Sequence, residues 1–376
     1  MKTASGSMLQ VLRCGLRGIV CLGLICIVIL GAFFWLPAKV NYHVVETYIF
    51  SGDVEDAQVY LGIILPKSGP YQWVGNVEIS WDGSQQEENY GFVDVIKFYG
   101  NKGPQETLVA TVEYDVKLPQ GYITWPAPVE DFQRLPQNGI ESDCDCIQKK
   151  AASISDGTSS RDAYKVYSFT ADYLTYSRDD MDCTSLSALK AYEIGTCVCA
   201  GYARLMTALC RASGIPSQMV LGLVYPDPMF MSKLSSFPQN PVEAHAWVEY
   251  YSEGSWKMAD PTWGKKYLKP LQFNRNDSRH LVYGELAQIL SVDDMLEWWA
   301  LNQADYVIGN DKCFRFIATS TSKQVSFRPI TTIDRKWDGR WLNTLVAWGS
   351  ITGLLCVLRF RSNKRPCSKS GTETTL

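Results

Sequence analysis

Gly195–Gly222 reads GTCVCAGYARLMTALCRASGIPSQMVLG and holds three cysteines, Cys197, Cys199 and Cys210. A thiol attacks as its thiolate, and a free cysteine with a pKa near ~8.5 is mostly protonated at neutral pH. Three things change that. A helix N-terminus offers unpaired N–H groups and the positive end of its dipole. A histidine within reach takes the proton. A third group holds the imidazole in the useful tautomer. Cys199 meets the first demand. Tyr202, Leu205, Met206, Leu209 and Cys210 form one apolar stripe ended by Gly214, so a helix begins at Cys199. Gly201 beside it is expected to let backbone or substrate come close. Cys210 lies on the stripe and reads as a core thiol. Cys197 sits in the preceding loop, as a redox partner of Cys199, half of a disulfide, or a spectator.

The chain has three histidines as candidate bases. His43 lies in a strand-rich stretch and reads as an ordinary strand residue. His280, in NDSRHLVYG, shows no helpful neighbours. His245 opens the alternating strand HAWVEYY and points away from the face of Ala246, Val248 and Tyr250. Asp260, in WKMADPTW, ends a second short strand that Pro261 breaks. Two antiparallel strands joined through SEGS would bring Asp260 alongside His245, where its carboxylate could accept the imidazole N–H. Alone, an aspartate before proline is a common turn starter.

Together these blocks resemble the transglutaminase-like superfamily, whose core is papain-like. SALKAYEIGTCVCAGYARLMTALCRASGIPSQMVLGL is similar to its nucleophile block, and HAWVEYYSEGSWKMADPTWG to its His-to-Asp block, over Arg161–Gly264. The resemblance implies Cys199 as nucleophile, His245 as base and Asp260 as its orienting carboxylate. It implies acyl transfer or hydrolysis on an amide or peptide bond through a thioester, on a protein or peptide, with no cofactor and no metal. A glycine often stands two residues before the family's nucleophile; here Cys197 does.

The elements that must position these groups fall in two grammars. NYHVVETYIF, AQVYLGIILP, NVEISW, FVDVIKFYG and LVATVEYDVKL predict a small antiparallel β-sandwich over 37–125. A Pro-rich linker over 126–160 follows. The catalytic domain spans 161–335, with helices in RDAYKVYSFTADYLTYS, in CTSLSALKAYEIG (capped by Thr184 or Ser185) and from Cys199. Strands follow in QMVLGLVY, HAWVEYY, WKMAD, CFRFIATS and KQVSFRPI, and a helix in VDDMLEWWALNQADYV. The fold class is α+β, a papain-like transglutaminase core preceded by the β-sandwich and flanked by transmembrane helices.

Residues 18–36 carry no charge, and residues 341–358 form a second uncharged run. Each is close to the ~20 residues a membrane span needs; the alternatives are a cleaved signal peptide for the first and an amphipathic or buried helix for the second. Basic residues lie outside both, in the N-terminus 1–17 and the tail 359–376. That places both termini in the cytoplasm and the middle on the other side of the bilayer. The first 36 residues carry +3 and the tail +4, so a total of −3 leaves −10 on the middle, which argues against nucleic acid as partner. An oxidising compartment predicts disulfides among Cys144, Cys146, Cys183, Cys197 and Cys313. The NDS sequon at 276–278 is a glycosylation site if the source is eukaryotic. Two other readings stand beside the enzyme: zinc held by the C-x-C pairs 144–146 and 197–199, and a non-catalytic, membrane-tethered binding or assembly domain of the same fold.

Overall fold

The computed structural model describes residues 23–26, 38–89, 94–155, 159–177, 187–224, 243–266, 269, 272–277, 279–284, 296, 304–310, 315–338 and 348–350. One compact unit spans Lys39–Trp337, and a second joins Met1–Ala38 with Asp338–Leu376. Six strands come first: β1 (Ala38–Ser51), β2 (Ala57–Leu65), β3 (Trp73–Trp81), β4 (Ser84–Asn89), β5 (Asp94–Lys102) and β6 (Leu108–Tyr122). Then come α1 (Asp145–Ile154), α2 (Ser160–Tyr173), β7 (Thr175–Tyr176), α3 (Ala188–Ile194), β8 (Thr196–Cys197) and α4 (Cys199–Ala212). The chain continues as β9 (Ser217–Val224), β10 (Glu243–Ser252), β11 (Ser255–Ala259), α5 (Pro261–Lys266), β12 (Arg275–Asp277) and β13 (His280–Gly284). It closes with β14 (Tyr306–Asn310), β15 (Phe316–Ser320) and β16 (Ser326–Asp338).

Two larger sheets run β12-β6-β1-β16, with β3 also on β6, and β14-β15-β2-β5-β4. Alternation explains their packing. Val40, Tyr42, Val44, Tyr48 and Phe50 of β1 are buried, as are Leu108, Ala110, Val112, Tyr114, Val116 and Leu118 of β6. A period of two puts each set on one sheet face. β2 is buried almost throughout and pairs on both edges, with β5 and β15. The strand-rich segment therefore does not close on itself: strands from beyond residue 305 complete both sheets. One hydrophobic core runs from Val40 through α4 to Val325. β4, the polar run SQQEEN, pairs only at the edge of its sheet, where no apolar signal is needed.

The stretch expected as a linker carries α1, whose Ile147 and Ala151, one turn apart, are fully buried in that core. The cap of α3 is Ser187, accepting from the N–H of Lys190; Thr184 and Ser185 lie outside the described residues. The helix expected over VDDMLEWWALNQADYV also lies largely outside them, and its last residues, Tyr306 and Val307, open β14. Asn276 of the sequon is fully buried in β12, so the folded chain offers it to no glycosylating enzyme. Among the described residues no helix is long and apolar enough to cross a membrane. Both apolar runs lie outside those residues, apart from 23–26 and 348–350.

The sheet that matters for the site is β11-β10-β9-β13, all antiparallel. Ala246, Val248 and Tyr250 face the main core with Leu205, Leu209 and other residues of α4. Trp247 packs elsewhere, with Val220 and Met258. Burying a side chain such as Val248 in the core shared with α4 contributes about 1.5–3 kcal/mol, so that face fixes the sheet on α4.

Candidate active site

α4 starts at Cys199 after Val198, whose backbone is extended, and no side chain caps this end. The first amides of the helix therefore face outward from its start. The sequence suggested that Gly201 makes room for backbone or substrate; the group that approaches it is instead a side chain. A Cβ there would stand 2.6 Å from both Cβ and Sγ of Cys197, so the glycine accommodates the Cys197 side chain. Cys197 is fully buried and its β8 pairs with β7 in parallel.

The expected disulfides are not formed among the described residues: no disulfide joins any two of Cys144, Cys146, Cys197, Cys199 and Cys210. The Cys144 and Cys146 sulfurs lie 3.0 Å apart, hydrogen-bonded rather than joined. Cys183 and Cys313 lie outside the described residues. Nor do the two C-x-C pairs form one set of metal ligands among the described residues.

β10 and β11 form the hairpin read from the sequence. Ser252 pairs with Ser255, and Glu253 and Gly254 turn the chain at φ of 54° and 80°, the left-handed pair that two-residue hairpin turns require. Val248 stands opposite Ala259, so Asp260 emerges just past the end of the ladder. DPTW is there a helix start. Asp260 Oδ1 accepts the backbone N–H of Thr262 at 2.9 Å and of Trp263 at 3.2 Å, and Pro261 takes the first helical position. That leaves Oδ2, which lies 2.8 Å from His245 Nε2. His245 is hydrogen-bonded on its other side to the Cys199 thiol. With Nε2 committed to the carboxylate, Nδ1 is left for the sulfur.

All three side chains are buried: relative exposure is 6% for Cys199, 4% for His245 and 1% for Asp260. Burial pulls the His245 imidazolium down, but the charge and hydrogen bond of Asp260, with those of Cys199, outweigh it and push the ring up to about 10. Burial likewise raises Asp260, and the opposing charge and hydrogen bond of His245, together with His280, hold it well below the usual carboxylate range. A carboxylate–imidazolium pair in contact with a thiol at a helix start can stabilise a thiolate at neutral pH.

The sequence missed His280. It sits at the start of β13, fully buried, with Nε2 3.2 Å from the same Asp260 Oδ2. Its ring contacts those of His245, Trp247 and Trp263, at centroid distances of 5.6, 4.9 and 4.9 Å. A signal existed: HLVYG, like HAWVEYY, is a histidine heading an alternating apolar strand. Together His245, Asp260 and His280 offer three ligand atoms within 4.8 Å of one another, enough in donor type for a divalent ion. Their hydrogen bonds already satisfy one another. His43 is remote in sequence and contacts Glu113 and Asp115 instead.

Residues 148–261, which include Cys199, His245 and Asp260, match the family model of the transglutaminase-like superfamily. This segment is similar to a transglutaminase-like core. Two solved structures are similar to the chain. One, of a candidate cysteine protease from Cytophaga hutchinsonii, is 14% identical with a TM-score of 0.53, over 80% of this chain and 93% of that one. The other, the periplasmic domain of TgpA from Pseudomonas aeruginosa, is 16% identical with a TM-score of 0.28, over 59% and 75%. At such identities the first shows likeness of fold alone. No curated protein matches the chain.

Proposed function

We propose that this chain is a membrane-anchored, cysteine-dependent acyl-transfer enzyme acting on amide or peptide bonds of a protein or peptide. The observation that carries the reading is the hydrogen-bonded run from the Cys199 thiol through His245 to Asp260. The Cys199 thiolate attacks the carbonyl carbon, and the carbonyl electrons move onto oxygen. The N–H of Cys199, at the uncapped start of α4, serves as a backbone donor for that oxyanion. The oxyanion collapses, the C–N bond breaks, and the His245 imidazolium gives its proton to the departing amine. The thioester then accepts water, as in a protease, or a second amine, as in a transglutaminase; neutral His245 takes the incoming proton, the C–S bond breaks, and Cys199 leaves as the thiolate paired with the His245 imidazolium. Asp260 stays ionised throughout, orienting the ring and stabilising its charge.

Residues 18–36 and 341–358 serve as membrane anchors in this proposal, with both termini cytoplasmic and the core on the opposite side.

The test is acyl-enzyme trapping. The full-length chain in detergent is incubated with an activated amide and its intact mass is read after acid quench. An added acyl mass mapped to Cys199, absent in Cys199→Ser, supports the reading. A chain that takes up no acyl group, or takes it up equally as Cys199→Ser, favours the non-catalytic binding domain instead.

A further inference from the structure

The acyl-transfer mechanism uses one of the two imidazoles that meet Asp260 and leaves the other unexplained. The two arrive from opposite sides of one strand. β10 and β13 both pair with β9, so that His245 stands across from Gly222 and His280 across from Val224. His280 and Val282 share a sheet face, with Val282 packed against the cluster of Trp247, Val220 and Met258. Leu281 between them points into the main core. The His280 ring is walled by Trp247 and Trp263 and is 1% exposed, so water does not set its orientation.

Asp260 accepts at both oxygens: two backbone N–H groups on Oδ1, and the two Nε2 atoms on Oδ2, at 2.8 and 3.2 Å. An ionised carboxylate offers about four lone-pair sites. Four donors fill them and leave the group no second orientation. We infer that His280 is a positioning residue for the proposed acyl transfer: its Nε2–H donates to Asp260 Oδ2 and fixes the ionised carboxylate against His245. The inference rests on the acyl-transfer reading. Because His280 donates from Nε2, its role depends on a donor at that reach rather than on a histidine as such. Among the described residues, the titratable groups near it include Asp260 and His245, with Cys199 beyond His245. Tyr167 feels the Asp260 charge, and Arg279 lies over the far wall, with its guanidinium carbon 4.3 Å from the Trp263 ring centroid. β9 contributes no titratable side chain.

The consequence can be read without knowing the substrate. If Asp260 loosens, the imidazolium is held less well, and the Cys199 thiolate forms at higher pH. The experiment measures the rate of Cys199 alkylation by iodoacetamide against pH on the full-length chain in detergent. It compares wild type, His280→Phe, His280→Gln and His280→Asn, with a thermal melt for each. A glutamine amide nitrogen reaches about where Nε2 stands; that of asparagine stops near Nδ1. The expected result is an acid limb moved up by about one pH unit in His280→Phe, equivalent to roughly a tenfold loss of rate on that limb. His280→Gln should return the limb to wild type, and His280→Asn should not. If His280→Phe fails to fold, the Gln–Asn pair decides alone. A wild-type acid limb that is low and unchanged in the variants overturns this inference and leaves the acyl-transfer reading standing. Equal displacement in Gln and Asn overturns it too. A wild-type profile of an ordinary thiol overturns both.

Discussion

The two ends of α4 carry the same side chain in opposite surroundings. Cys210, fully buried near the C-terminal end, is pushed up to about 12 by burial, and its neighbour Arg211 only partly offsets this. Arg211 instead turns to the carbonyls of Ser217 and Leu135. Cys199, at the other end, is almost as buried but touches a histidine whose far nitrogen rests on a carboxylate. Burial alone makes a thiol inert, because it penalises the anion. Burial beside an imidazolium does the reverse, because the charge that remains is paired. Nucleophilicity here depends on what faces the sulfur, not on its exposure.

The largest expected effect breaks the reactive end. Cys199→Ser should lower acyl transfer by roughly 10⁴-fold or more, since loss of a nucleophile removes the covalent route. The melting temperature should stay close to wild type. Next comes Asp260→Asn, with a loss of roughly 10³–10⁴-fold in kcat as the imidazole loses its anion. The asparagine oxygen can still cap α5, so the melt should change far less than the rate.

Cys210→Ser tests the other end. A hydroxyl placed where burial is complete costs about 1–3 kcal/mol of stability, read as a lower melting temperature, while kcat per folded molecule is unchanged. A rate loss matching that of Cys199→Ser would erase the distinction between the two ends.

A smaller effect sharpens the electrostatics. His245 stands at about 10 in the fold against ~6.5 unfolded, so its contribution to stability is complete below ~6.5 and disappears as pH rises through 10. Asp260 is held low, so its contribution is present above ~3.9 and lost as pH falls through its folded value. Asp260→Asn should therefore melt below wild type near pH 6, by about 2–4 °C for each kcal/mol of pairing lost. The two curves should converge as pH passes 10. Parallel curves across that range would mean the pair adds no stability.

Much of the site was legible because its geometry is local. SEGS lies between two alternating strands, so the hairpin and the approach of Asp260 to His245 follow from a span of sixteen residues. The apolar stripe from Tyr202 to Cys210 is periodic enough to locate the start of α4. What was not legible depends on pairing between distant segments. His280 meets Asp260 only because β13 joins the free edge of β9. β15 and β16 join β2 and β1 across more than two hundred residues, which no local pattern records. Gly201 was read as room for backbone or substrate because the bulk it accommodates, the Cys197 side chain, is invisible without coordinates. The disulfides followed from an assumed compartment, and no sequence distance reports where sulfur atoms end up.

The most direct measurement is site-resolved iodoacetamide labelling of the native wild-type chain at pH 6, with Cys199, Cys197 and Cys210 read separately by peptide mass spectrometry. An ordinary thiol is only about 0.3% thiolate at that pH. The expected result is fast labelling of Cys199 and none of Cys210 or Cys197 until the chain is unfolded. Labelling of Cys199 no faster than in the unfolded chain would contradict the thiolate–imidazolium pair, and the proposed chemistry with it.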